Sequence, residues 1–149
     1  MLSEPPHDLP RLLSSAERLM TRRLAAALED EHCSVEEWRV LALLSDSRGH
    51  TMSDIASYAL MPAPSLTKLV DRMVSAALVY RRKDPGDGRR VLVYLSARGR
   101  TRHRAVSVPA QRVHEQVLGE LFGVQELADG LARLEFLLER GSEQVRAER

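Results

Sequence analysis

The chain has 149 residues, 44% apolar and 29% charged, the composition of one ordinary globular domain with enough apolar surface for its own core. A single cysteine excludes a disulfide scaffold, and no apolar run approaches the roughly 18 residues of a membrane span. The net charge of +1 hides an uneven distribution: residues 62–104 hold eleven basic and three acidic side chains, or +8, against −7 elsewhere. Such a basic block reads as a footprint for a polyanion, with a solvated charged face as the plain alternative.

Residues 9–28 keep Leu9, Leu12, Leu13, Ala16, Leu19, Met20, Leu24, Ala27 and Leu28 in helical rhythm, predicting an amphipathic helix. The opening MLSEPPHDLP carries acids and prolines where a signal peptide needs a basic stretch and an apolar run, so a cytoplasmic location is expected. Ser34-Val-Glu-Glu37 predicts a capping box at a second helix through Trp38, Leu41 and Leu44, which Ser47-Arg-Gly49 breaks. Thr51-Met-Ser-Asp54 predicts another N-cap and a short helix to about Tyr58.

After a connector at Ala59–Met61, Pro62 and Pro64 suit a helix's first turn, whose N–H groups have no intrahelical partner. The helix that follows carries Leu66, Leu69, Val70, Met73, Ala77 and Leu78 on one face. Pro64, Lys68, Asp71, Arg72 and Ser75 lie on the other, flanked by Ser65 and Thr67. Two helices with a tight turn, the second polar and basic outside, predict a helix-turn-helix. Leu78–Arg82 and Val91–Leu95 are β-prone around the turn-rich Asp84-Pro-Gly-Asp-Gly88. They predict a hairpin with Arg81, Arg82, Arg89 and Arg90 about its tip, completing a winged-helix plan.

Ser96 can cap a long helix to about Phe122, with a kink expected at Pro109. Past Gly123, Leu127, Leu131, Leu134 and Leu138 make a last apolar row, and the polar tail from Gly141 is expected to fray. The fold class expected is mainly α with a small β-hairpin wing.

The segment Asp84-Pro-Gly-Asp87-Gly-Arg89-Arg-Val-Leu-Val-Tyr-Leu95-Ser96-Ala-Arg-Gly99 resembles the wing signature of MarR-type regulators, with its Asp-x-Arg, its strand and its Leu-Ser-x-x-Gly. Ser34-Val-Glu-Glu-Trp38-Arg-Val-Leu41 is similar to the start of that family's second helix, and Ser65-Leu-Thr67-Lys-Leu-Val-Asp71-Arg72 to its recognition helix. The resemblance spans about residues 9–140. It departs at Gly88, Glu37 and Pro109.

The resemblance implies a single domain over 1–149: a winged-helix DNA-binding lobe at 34–95, and a helical dimerisation region at 9–31 and 96–140. It implies a homodimeric repressor on a pseudo-palindromic operator of double-stranded DNA, answering to a small aromatic effector. Carried over by position, Pro64, Ser65, Thr67 and Lys68 meet base edges, and Arg72 meets phosphate. In the wing Arg89 enters the minor groove, Asp87 braces it and Arg90 contacts backbone. Trp38 is the candidate at the effector junction, against a plain role as core anchor. Cys33 is the candidate for a redox-sensing alternative, against a small buried hydrophobe.

Among His7, His32, His50, His103 and His114 no two stand four apart, so no metal site or cofactor is expected. The chain shows no Gly-rich phosphate loop, nucleophile elbow or two-histidine metal helix, and no enzymatic activity is expected. A winged-helix module that binds protein rather than specific DNA is the remaining alternative, since fold alone does not prove DNA contact.

Overall fold

A computed structural model describes residues 8–119 and 123–147. The elements run α1 (Leu9–Leu28), α2 (Val35–Leu44), α3 (Met52–Ala59), α4 (Ala63–Ser75), β1 (Val79–Lys83), β2 (Val91–Leu95), α5 (Ala97–Leu118) and α6 (Val124–Ala147). The chain divides after Val113 into two compact units.

The first unit is built on one core. Leu24 and Leu28 of α1, Val40, Leu41 and Leu44 of α2, Ile55 of α3, and Leu66, Leu69, Val70 and Met73 of α4 are buried together. Val79, Val93 and Leu95 of the hairpin and Val106 of α5 join them. Each α4 contribution follows the three-and-four spacing that leaves the opposite face in water.

The two central caps differ. Thr51 and Asp54 form a full capping box, the Thr51 hydroxyl accepting from the Asp54 N–H and the Asp54 carboxylate from the Thr51 N–H, each at 3.1 Å. At α2 only half of the expected box exists. The Ser34 hydroxyl accepts from the Glu37 N–H at 3.0 Å, but the Glu37 carboxylate takes Arg102 Nε at 3.3 Å instead of turning back. A guanidinium is a stronger partner for a carboxylate than a backbone N–H.

The Asp54 carboxyl is held below its ordinary 3.8 by hydrogen bonds from Thr51, first its hydroxyl and then its backbone N–H. A depressed folded-state pKa contributes stability that is present above the unfolded value and lost as pH falls through the folded one. We therefore expect melting temperatures of the parent and Asp54→Asn to differ most above the ordinary carboxylate range and to converge as pH falls below it. A gap that stays constant with pH would show that the carboxylate charge has no part in the cap.

Both helices of the helix-turn-helix end on a left-handed residue. Leu60 (φ 55°) closes α3, with Met61 N–H donating to the Ala56 carbonyl at 3.0 Å. Ala77 (φ 57°) follows α4, with the Leu78 N–H donating to Met73 at 2.9 Å and Ala77 to Val74 at 2.9 Å. This six-to-one and five-to-two pattern satisfies the terminal carbonyls. It also takes Ala77 and Leu78 off the apolar face of α4, where their spacing had placed them, because the helix stops at Ser75.

β1 and β2 pair antiparallel, Val79 opposite Leu95 and Lys83 opposite Val91. A third backbone segment adds to them: His50 and Val93 exchange both N–H···O bonds, at 3.1 and 2.9 Å. Tyr80 and Tyr94, directly opposite, stack with ring centroids 5.5 Å apart. A side chain at Gly49 would strike the Tyr94 ring and Leu92 Cβ, so the segment before His50 reaches the hairpin only as glycine.

α5 continues through Pro109 as one helix to Leu118, so proline does not end it; the expected extension over 120–122 lies outside the described residues. In the second unit α6 stays helical to Ala147 rather than fraying from Gly141. Its Leu127, Leu131, Phe136, Leu137 and Leu138 are exposed within the chain, as are Leu9, Leu12 and Leu19 of α1 in the first unit.

Candidate nucleic-acid interface

The solvent face of α4 is assembled as the pattern requires. Pro62 precedes the helix and Pro64 occupies its first turn, where a missing N–H costs nothing. Pro64, Ser65, Thr67, Lys68, Asp71 and Arg72 are exposed, while Leu66, Leu69 and Val70 anchor the opposite side. The Thr67 hydroxyl donates to the Ala63 carbonyl at 3.0 Å, leaving its methyl and an oxygen lone pair outward. A groove between α3 and α4, lined by Met52, Ser57, Met61, Leu66 and Thr67, opens beside this end of the helix.

Two aspartates shape the wing tip. Asp84 Oδ1 accepts from Gly86 N at 2.9 Å, and Asp87 Oδ1 accepts from Arg89 N at 3.1 Å. The Arg90 N–H donates to the Asp87 carbonyl, and the Arg90 carbonyl accepts from Asp84 N, both at 2.9 Å. In the free protein Asp87 therefore contacts Arg89 through its backbone N–H rather than its guanidinium. An aspartate whose carboxylate accepts from the backbone N–H two residues on forms a turn readily. Arg89 and Arg90 are exposed and, with Lys68 and Arg72, make no ion pair among the described residues.

The basic segment is less uniform than its sum of +8. Arg102 faces inward, donating to the Glu31 carbonyl at 2.6 Å and the Glu37 carboxylate at 3.3 Å, so it staples α5 to the turn before α2. Arg100 donates to the Leu95 carbonyl at 3.2 Å. Arg81 Nη2 lies 2.7 Å from Asp71 Oδ1, joining β1 to α4. Sequence spacing did not single out these pairings, because ten residues and a turn separate Asp71 from Arg81 and 65 residues separate Glu37 from Arg102.

Trp38 is half-buried and packs against the core, the anchor's position; it does not line the α3–α4 groove. Cys33 is buried, with its thiol donating to the Ser34 carbonyl at 3.4 Å. Burial, with the Glu37 carboxylate adding to it, pushes that thiol up to about 12. A thiolate is the reactive form, so this site disfavours sensing chemistry. We expect Cys33 to resist iodoacetamide in the folded protein at pH 7.5 and to alkylate on unfolding, followed by mass spectrometry. Rapid native alkylation would restore the redox alternative. No group of three or more histidine, cysteine, aspartate or glutamate side chains among the described residues could hold a metal ion.

A short helix, a recognition helix with a basic outer face, and a hairpin with exposed arginines define a winged helix-turn-helix protein. Residues 34–90 match the model of the MarR family. Over 129 residues the chain is 29% identical to the HTH-type transcriptional regulator FarR of Neisseria gonorrhoeae, covering 83% of this chain and 88% of that protein. It is 27% identical over 104 residues to the homoprotocatechuate degradative operon repressor of Escherichia coli, covering 70% of this chain and 67% of the repressor. The crystal structure of NadR in complex with 4-hydroxyphenylacetate matches with a TM-score of 0.78 at 26% identity, over 90% of this chain and 97% of that one. Residues 34–90 thus carry the MarR-family match, and the chain is similar over most of its length to winged-helix transcriptional regulators of that family.

Proposed function

We propose that this regulator is a homodimeric repressor that binds a pseudo-palindromic operator and is released by a small aromatic acid. The observation that carries DNA binding is the exposure of Lys68, Arg72, Arg89 and Arg90 on a recognition helix and wing whose opposite sides are locked into one core. In this reading Pro64, Ser65, Thr67 and Lys68 meet base edges, Arg72 and Arg90 hold phosphates, and Arg89 reaches the minor groove with Asp87 shaping its loop. Dimerisation is supported by the exposed leucines on α1 and α6, a large apolar area for a monomer to leave in water. Two copies related by a two-fold axis would then address half-sites about one helical turn apart. Repression is supported by the operon repressor among the relatives, and an aromatic acid by the 4-hydroxyphenylacetate bound to NadR. Trp38 is proposed to serve that ligand from its place against the core.

Selection of bound duplexes from a random pool tests both parts together. We expect an inverted repeat with half-site centres about 10 base pairs apart. On the selected duplex, log affinity should fall with log salt at about −0.9 per phosphate neutralised. Failure to enrich any sequence, with a flat salt response, would leave the protein-binding alternative.

A further inference from the structure

The exposed face of α4 carries one acid among its basic and small residues. Asp71 follows Lys68 by three positions and Thr67 by four, so it shares their side of the helix. A carboxylate there opposes any polyanion. Its partner is Arg81 of β1, with Nη2 2.7 Å from Oδ1. Arg81 stands on the hairpin face that also buries Val79 and Val93, and its guanidinium turns toward α4. The side chains are 35% and 57% exposed, a setting in which an ion pair adds little to folding. The α4–β1 turn is already closed by the Leu78 and Ala77 backbone bonds, so the pair is not needed to make it.

We propose that Asp71 is a positioning residue that withholds Arg81 from DNA phosphates and thereby limits sequence-independent affinity. The proposal rests on the DNA-binding reading above. Sequence-independent binding grows with the number of phosphates neutralised and the counterions released. Paired with Asp71, Arg81 contributes no net charge to that count. If it left for a phosphate, a bare carboxylate would remain beside the same phosphates. A regulator gains from this restraint, because a genome offers an excess of non-specific sites and selectivity depends on the ratio of the two affinities.

The test is a salt titration on a random-sequence duplex, read by fluorescence anisotropy, for the full chain and its variants. Asp71→Asn is expected to steepen the log–log salt slope by about 0.9 per subunit engaged, as Arg81 takes up a phosphate. A fourfold rise in salt would then cost it about 3.5-fold more affinity per subunit than it costs the parent. Asp71→Ser should steepen the slope equally, since only the charge is at issue. The double variant Asp71→Asn/Arg81→Gln should return to the parent slope, because a neutral pair replaces a neutral pair. Melting curves should coincide closely for all four proteins. An unmoved slope in both Asp71 variants overturns the proposal, and so does a double variant flatter than the parent, which would place Arg81 on phosphate already. If the parent itself binds neither random nor selected duplex, the DNA-binding reading fails and takes the proposal with it.

Discussion

Replacing Gly99 with alanine is expected to cost about 2–3 kcal/mol of stability, lowering the melting temperature by roughly 5–10 °C. Gly99 is buried in the first turn of α5. A Cβ there would overlap the Leu78 carbonyl oxygen and come within 2.6 Å of Leu95 Cδ1. The carbonyl is backbone and is already engaged, accepting from the Ser96 N–H at 2.9 Å, so it cannot step aside. Ser96 tightens the same joint: its hydroxyl donates to the Ala77 carbonyl at 2.6 Å and accepts from the Gly99 N–H at 2.9 Å. In an open helical position the same change would gain about 1 kcal/mol from helix propensity, so the sign of the effect is diagnostic. Thermal and denaturant unfolding check it. A Gly99→Ala protein as stable as the parent would mean that α5 does not approach the end of the recognition helix this closely.

Arg89→Ala is expected to weaken operator binding about 10- to 100-fold, corresponding to ~1–3 kcal/mol, with melting temperature nearly unchanged. Arg89 is exposed and its side chain makes no ion pair among the described residues, so its removal leaves the core untouched. What holds its position is the Asp87 carboxylate on its backbone N–H. That contact needs an oxygen acceptor and not a charge. Asp87→Asn should therefore keep most of the affinity, while Asp87→Ala loosens the turn and weakens binding. Asp87→Ala and Arg89→Ala should be less than additive together, since the turn matters only while it aims an arginine. A large loss in Asp87→Asn would instead favour a charge brace on the guanidinium when DNA is bound. Strict additivity would separate the two residues altogether.

Local order was legible where one short stretch of chain decides the outcome. The α1 bounds at Leu9 and Leu28, the Thr51–Asp54 cap and the β2 bounds at Val91 and Leu95 each follow from side-chain period or from a cap within four residues. The buried face of α4 over Leu66–Met73 was equally plain, and with it the set of exposed residues that serves as the candidate interface. The end of that helix was not. It stops at Ser75, with Ala77 left-handed just beyond and no glycine to announce it, and Ala77 and Leu78 continue the apolar spacing past the break. Tertiary packing chose the stop, because Leu78 must present its backbone to Ser96 and Gly99.

Long-range pairing was beyond sequence for a related reason. A one-residue bridge at His50 has no period, and a charged side chain does not announce its partner. Composition counted Arg102 and Arg81 in one basic block with the exposed cations; three-dimensional structure turned the first inward to Glu37 and set the second against Asp71. Cys33 followed the same rule: its place before a cap left its chemistry open, and burial beside Glu37 raises the thiol and disfavours the thiolate. The sequence by itself determined the element order, the recognition-helix face and the winged-helix class, because those depend on local period and turn chemistry. Only the tertiary structure decided which charges remain available to a ligand, because that depends on which opposite charge or carbonyl the fold brings within about 3 Å of each.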